Sequence, residues 1–204
     1  MKALFLKRPF DIALSSVGIV LSSPLWLVFG LMIWLEDKGP IFYKQERIGK
    51  NGKVFKALKF RSMIADAEQK EGPVQAKLND KRVTKVGKIL RATAMDELPQ
   101  LTNILIGDMS FVGPRALRPA EIENHGRNTV SLVELPGFSK RHSIRPGLTG
   151  LTQVYLPKDF PIKRKFRYDL LYIKNRSFWL DLKLIFLSFW ITFRAKWESR
   201  EKKI

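Results

Sequence analysis

Residues 12–35 read IALSSVGIVLSSPLWLVFGLMIWL, twenty-four positions without a charge. A straight helix of that length is long enough to cross the hydrocarbon core of a bilayer, which takes about 20 apolar residues. Ser23-Pro24 falls at its middle. A proline inside a helix removes a backbone donor and crowds the preceding turn, so a kink or break is expected there, with Ser22 or Ser23 bonding the freed carbonyls. Basic residues flank both ends, Lys2, Lys7 and Arg8 before the run and Lys38, Lys44 and Arg47 after it. Positive flanks favour the cytoplasmic face, so the pattern predicts a helix-break-helix that enters one leaflet and returns. A kinked spanning helix is the competing reading. A cleaved leader fits less well, because the run is long and lacks an A-x-A site. Asp11 is expected to cap the first helix, with pairing to Arg8 as the other option.

Toward the other end, SFWLDLKLIFLSFWITFRAKW (177–197) contains an apolar run, Leu184 to Phe193, too short to span. Charges bound the run, and Trp179, Trp190 and Trp197 are spread along the stretch. It reads as a helix lying at a lipid interface, or as an ordinary buried core helix. The chain therefore divides into a membrane segment (1–38), a central domain (39–176) and a C-terminal interfacial helix with a basic tail (177–204). The fold class expected is α+β, mainly helical.

Composition narrows the chemistry. Lys and Arg number 37 against 19 acids, a formal charge of +18, which attracts polyanions such as anionic lipid, nucleic acid or phosphorylated metabolites. There is no cysteine, which excludes disulfides, thiol nucleophiles and cysteine zinc sites. Only His125 and His142 are available, which argues against a histidine metal cluster.

In the central domain, IFYKQERI and KVFKALKF flank GKNG, and Asn51-Gly52 signals a hairpin. A helical stretch MIADAEQ (63–69) is expected before Gly72-Pro73, then a polar loop to Asp80. Arg82, Lys85, Lys88 and Arg91 recur every third residue and would form a basic strip on one helix surface. The strip arrives at MDELPQL (95–101), where Asp96 and Glu97 are adjacent acids in a basic chain. A structural account is available: Thr93 with Asp96 three residues on resembles a capping box, and acids suit the first turn of a helix. The chemical account draws on the neighbours. A Gly-Pro turn with Arg115 and a glycine-rich turn with Arg145 follow, and carboxylates among arginines and amide-rich turns suit pyrophosphate chemistry. Arg grips phosphate in a forked geometry, Mg²⁺ takes one or two carboxylates plus substrate phosphates, and a carboxylate is itself a nucleophile toward phosphorus.

KRPFD (7–11), SSP (22–24), QERIGKNGKVFKALKFRSM (45–63), LRATAMDELPQLTNILIGDMSFVGPR (90–115), RPGLTGLTQV (145–154) and YDLLYIKNRSFWLDLKLIF (168–186) together resemble the bacterial sugar transferase family of monotopic phosphoglycosyl transferases, in its small form. The resemblance implies an enzyme of the bacterial inner membrane, at its cytoplasmic face. Such an enzyme transfers a phosphosugar from a UDP-sugar to polyprenol (undecaprenyl) phosphate, giving polyprenyl diphosphosugar and UMP, the first membrane step of glycoconjugate biosynthesis. It also implies Mg²⁺, a covalent aspartyl-phosphosugar intermediate on Asp96, and a metal or orienting role for Glu97, with both carboxylates as metal donors. Substrate binding falls to Lys59, Arg61, Arg91, Gln100, Arg115 and Arg145, the helix break to Ser23 and Pro24, and the membrane anchor to Lys7, Arg8 and Asp11. Membrane lipids are implied partners and nucleic acid is not. The oligomeric state and the sugar stay open. Ala116 stands where the family commonly has a second proline, so a looser loop is expected there. The alternative from another class is a non-catalytic, membrane-anchored protein that binds anionic lipid or another polyanion.

Overall fold

The computed structural model describes residues 4–65, 67, 80–119, 122–125, 128–157, 160–194 and 197. The apolar run forms a single helix, α1 (Lys7–Asp37), with Pro24 inside it rather than between two helices. This corrects the expected helix-break-helix. The physical reason is local: Pro24 has no N–H to offer the carbonyl of Val20, and the Ser23 hydroxyl donates to that carbonyl instead at 2.8 Å. Asp11 is corrected as well. It lies in the second turn, buried, and accepts a hydrogen bond from the Phe111 N–H at 3.1 Å rather than capping the helix.

One face of α1 is buried against the rest of the chain at Asp11, Ser15, Ser22, Gly30 and Ile33. Its outer face leaves Val20, Leu21, Leu27, Val28, Leu31 and Leu35 exposed. Both ends are fastened to the same body. At the start, Lys7 pairs with Asp181 at 2.5 Å and donates to the Val112 carbonyl at 3.0 Å, while Arg8 donates to the carbonyls of Ile104 and Leu105 at 2.6 and 2.8 Å. At the far end, the Glu36 carboxylate accepts from the N–H groups of Lys85 and Val86 at 2.7 and 3.1 Å, and Asp37 pairs with Arg61.

The hairpin is as expected. β1 (Phe42–Ile48) and β2 (Val54–Phe60) pair antiparallel, with Phe42 opposite Phe60 and Ile48 opposite Val54. Asn51 and Gly52 both adopt positive φ, 57° and 78°, inside the turn closed by Lys53 N–H to the Lys50 carbonyl at 3.2 Å. Beyond it the expected helix over MIADAEQ is not formed where it is described. Met63 instead bridges Val83 and Ile64 is non-helical; Asp66, Glu68 and Gln69, and the polar segment up to residue 79, lie outside the described residues.

α2 (Lys85–Ala92) opens on Thr84, whose hydroxyl accepts from the Gly87 N–H at 2.9 Å. Arg82 precedes the helix and pairs with Asp80 at 2.7 Å, so only the last three members of the basic strip belong to α2. α3 (Gln100–Ile106) is clamped to β2 by Asn103, whose side chain donates to the Lys56 carbonyl and accepts from the Leu58 N–H, both at 2.9 Å. β3 (Ser110–Val112) lies parallel to β6 (Gly147–Thr149). Between them in the chain come the ribbon β4 (Ile122–His125) and β5 (Asn128–Ser131), and α4 (Phe138–Arg141). α5 (Leu151–Tyr155), α6 (Ile162–Asn175) and α7 (Phe178–Phe193) close the fold, which is α+β and mainly helical.

The principal core joins Leu101 and Ile104 of α3, Phe111 and Val112 of β3, Val154, Tyr172, and Leu184, Ile185 and Ile191 of α7. The opposite face of α7 carries exposed Trp179, Phe186, Phe189, Trp190 and Phe193.

Candidate active site

The carboxylate pair sits on a short connection between two helices. α2 ends and Ala94 turns the chain through a left-handed conformation at φ 57°, which costs a non-glycine residue about 1–2 kcal/mol. A 3-10 turn, Met95–Glu97, then leads through Pro99 into α3. The anticipated capping box does not form: the Thr93 hydroxyl donates backward, to the carbonyls of Ile89 and Leu90 at 2.9 and 3.2 Å. The turn leaves Asp96 and Glu97 each 9% exposed.

Around Glu97 the charges are positive. Lys59, on β2, reaches its Oε1 at 2.5 Å, and Arg115 lies 3.9 Å from the same atom. Burial alone would raise the Glu97 pKa. Lys59 and Arg115 by charge, the Lys59 hydrogen bond, and the charge of Arg47 outweigh it and hold the carboxyl at about 2. Glu97 is therefore a fixed carboxylate at neutral pH.

A cleft opens here, lined by Arg47, Ala57, Lys59, Glu97, Gln100, Met109, Arg115, Ala116, Gly147 and Leu148. Its wall depends on backbones that pass very close. A Cβ on Gly147 would lie 2.0 Å from the Gly113 nitrogen, and one on Gly150 would lie 2.2 Å from the Gly113 carbonyl oxygen, which explains the glycines of the GPR and RPGLTG stretches. Two carbonyls at the start of the loop that follows are held by arginines. Arg141 donates to the Arg115 carbonyl at 2.6 Å and Arg47 to the Ala116 carbonyl at 2.8 Å. Arg141 is in turn held by buried Asp169 at 2.8 Å, which also accepts from Thr152 at 3.0 Å. Burial, and then the charge of Arg141, lowers the His142 pKa to about 4. The neutral ring fits its neighbours: Nδ1–H donates to the Phe138 carbonyl at 2.8 Å and Nε2 accepts from Arg141 at 3.0 Å.

Of the residues singled out from sequence, Lys59, Glu97, Gln100 and Arg115 meet at the cleft. Asp96 is buried beside them in the same turn but is not among the lining residues. Three others do not converge. Arg61 is turned to Asp37; Arg91 is half-buried in the last turn of α2, outside the lining; Arg145 donates to the Gly107 carbonyl at 2.6 Å, beside Arg8. Lys7, Arg8 and Asp11 tie α1 to the body, as described above. Arg47 was read from sequence only as a membrane flank, yet it lines the cleft. The missed signal is strand alternation, which puts Gln45 and Arg47 on one face of β1 with Ala57 and Lys59 on the same face of β2.

Among the described residues no group of three or more acidic, histidine or cysteine side chains gathers to hold a metal. Two adjacent carboxylates are still a sufficient protein contribution for Mg²⁺ when substrate phosphates complete the shell, and ionised Glu97 suits that donor set.

A basic α+β body with a cation-lined cleft, carrying a long helix whose outer face is apolar, fits a membrane-associated protein that handles anions. The chain belongs to the bacterial sugar transferase family, which it matches over residues 2–195. It is 44% identical over 190 residues to a UDP-glucose:undecaprenyl-phosphate glucose-1-phosphate transferase of Klebsiella pneumoniae, covering 89% of this chain and 39% of that protein. It is 40% identical over 185 residues to a UDP-N-acetylgalactosamine-undecaprenyl-phosphate N-acetylgalactosaminephosphotransferase of Aeromonas hydrophila, covering 89% and 42%. Against the exopolysaccharide production protein PSS of Rhizobium leguminosarum bv. phaseoli it is 43% identical over 188 residues, covering 90% and 92%. The chain thus spans about two fifths of the first two relatives and nearly all of the third.

Proposed function

We propose that this protein transfers a phosphosugar from a UDP-sugar to undecaprenyl phosphate and releases UMP. The names of its relatives support that substrate pair. The observation that carries the reading is the buried Asp96–Glu97 turn, whose Glu97 meets Lys59, Arg115 and Arg47 in one cleft. Asp96 attacks the phosphorus that bears the sugar: a bond forms from its carboxylate oxygen to phosphorus, and the bond from that phosphorus to the UMP oxygen breaks. The acceptor phosphate of the polyprenol then attacks the same phosphorus and returns Asp96 as a free carboxylate. The acceptor phosphate is already anionic near neutral pH, so the second step requires no histidine base. Lys59 and Arg115 offset the charge of the diphosphate and of departing UMP. Asp96 and Glu97 would hold Mg²⁺, whose charge assists that neutralisation.

The test is a burst. Enzyme given a UDP-sugar and Mg²⁺ without polyprenol phosphate should release about one UMP per site and stop, and intact-protein mass spectrometry should show the added phosphosugar. Asp96→Asn should abolish burst, adduct and turnover, whereas Glu97→Gln should only slow them. An adduct that persists in Asp96→Asn and vanishes in Glu97→Gln reverses the two roles. If no member of a UDP-sugar panel yields UMP, and anionic surfaces are bound in a salt-sensitive way, the non-catalytic alternative is favoured.

We further propose that the chain is monotopic at the cytoplasmic face of the inner membrane. Both ends of α1 are fastened to one charged body, which supports a helix held at one face of the membrane over a crossing. The chain has no cysteine, so single cysteines at Lys2 and Lys203 can be probed with an impermeant label in spheroplasts. Labelling at Lys2 alone means that α1 spans.

A further inference from the structure

We infer that Gln100 is the donor that takes a non-bridging phosphoryl oxygen of the substrate diphosphate inside the cleft; the inference rests on the phosphosugar-transfer reading above and assigns this side chain its ligand atom.

Gln100 begins α3 directly after the carboxylate turn, is 4% exposed, and lines the cleft. Its amide nitrogen is buried without a hydrogen-bond partner. A buried donor left unmade is destabilising, and methionine or leucine would fill the same space without that cost. Asn103, one turn along the same helix and equally buried, shows the contrast. Its amide nitrogen donates to the Lys56 carbonyl and its oxygen accepts from the Leu58 N–H. The fold thus satisfies one amide of α3 and leaves the other with a spare donor beside the cleft.

The surroundings select the acceptor. The Ala57, Met109 and Leu148 side chains in the lining offer none. Glu97 is the one carboxylate among the lining residues, and its Oε1 accepts from Lys59 at 2.5 Å. Three cations, Arg47, Lys59 and Arg115, share the lining with it, so an anionic oxygen is favoured over a hydroxyl or a nucleobase carbonyl. A phosphoryl oxygen meets charge and donor together.

This role predicts a combination that a packing role does not. Gln100→Met keeps the volume and removes the unpaired amide, so in detergent without ligand it should unfold at or above the wild-type temperature. Its affinity for inorganic pyrophosphate and for UDP, each measured with Mg²⁺ by calorimetry, should fall about tenfold to a hundredfold, the loss of one hydrogen bond to a charged group. Affinity for uridine should be unchanged. Gln100→Glu, nearly the same shape with a repelling charge, should lose pyrophosphate binding at least as far, and it carries the test if Gln100→Met does not fold. Pyrophosphate affinity within twofold of wild type in the folded variants overturns the inference. So does a uridine affinity that falls in step with UDP, which would turn the donor toward the nucleoside. Because pyrophosphate carries no sugar or base, these outcomes stand apart from the transfer reaction itself: that reading fails if wild type releases no UMP from any UDP-sugar, whatever Gln100 does.

Discussion

Lys59→Met is the perturbation whose size follows most directly from the geometry. Glu97 is held at about 2 against an ordinary 4.5, and a displacement of that size corresponds to about 3 kcal/mol of native-state stabilisation at neutral pH. Lys59 is the leading source, in contact at 2.5 Å with a side chain only 15% exposed; Arg115 is farther, at 3.9 Å, and 43% exposed, so water screens it. Lys59 therefore accounts for about 2 kcal/mol of the effect, a drop of about 4–8 °C in midpoint for a chain of this length. The sign with pH is fixed by the direction of the shift. A carboxyl whose folded pKa is depressed contributes stability above its unfolded value of about 4.5 and loses it as pH falls toward 2. The wild-type advantage over Lys59→Met should be complete at pH 7 and shrink steadily below pH 4.5. The assay is thermal unfolding in detergent across that range, for wild type, Lys59→Met, Glu97→Gln and the double variant. A coupling below about 0.5 kcal/mol at pH 7, or an advantage that stays constant into acid, would refute the reasoning.

Asn103→Ala strands the Lys56 carbonyl and the Leu58 N–H and should cost about 2–3 kcal/mol, read from chemical unfolding, with little change if water replaces the amide. Arg141→Met leaves Asp169 buried and unpaired and should cost about 3–5 kcal/mol; because Arg141 also holds the Arg115 carbonyl, UMP release should fall even where the protein is fully folded. His142 is held at about 4 against 6.5 by burial and the Arg141 charge, so the unfolded chain binds the extra proton and wild-type stability should fall as pH drops from 6.5 toward 4. His142→Gln should remove that slope, and an unchanged slope would mean that other groups set it.

Much of this protein is legible in its sequence because the signals are local. The uncharged run from Ile12 to Leu35, the Asn-Gly turn between two alternating segments, and the ordered motifs require only near neighbours, and they led to α1, to the hairpin and to the family. Even at Pro24, where one helix replaces the expected two, the serine compensation that sustains it was readable from the Ser-Ser-Pro sequence. What only the tertiary structure decided is which polar side chains meet. Thr93 bonds back into α2 and Asp11 reaches Phe111, so both expected caps are lost to other partners. Arg61 and Arg145, chemically as suited to phosphate as Arg47, are drawn to Asp37 and to the Gly107 carbonyl, while Arg47 turns into the cleft. A guanidinium carries the same charge wherever it lies in the sequence. Its role is set by the nearest acceptor once the chain is folded, and those acceptors come from 24 residues away for Arg61 and 69 for Arg47, distances over which no periodicity carries information.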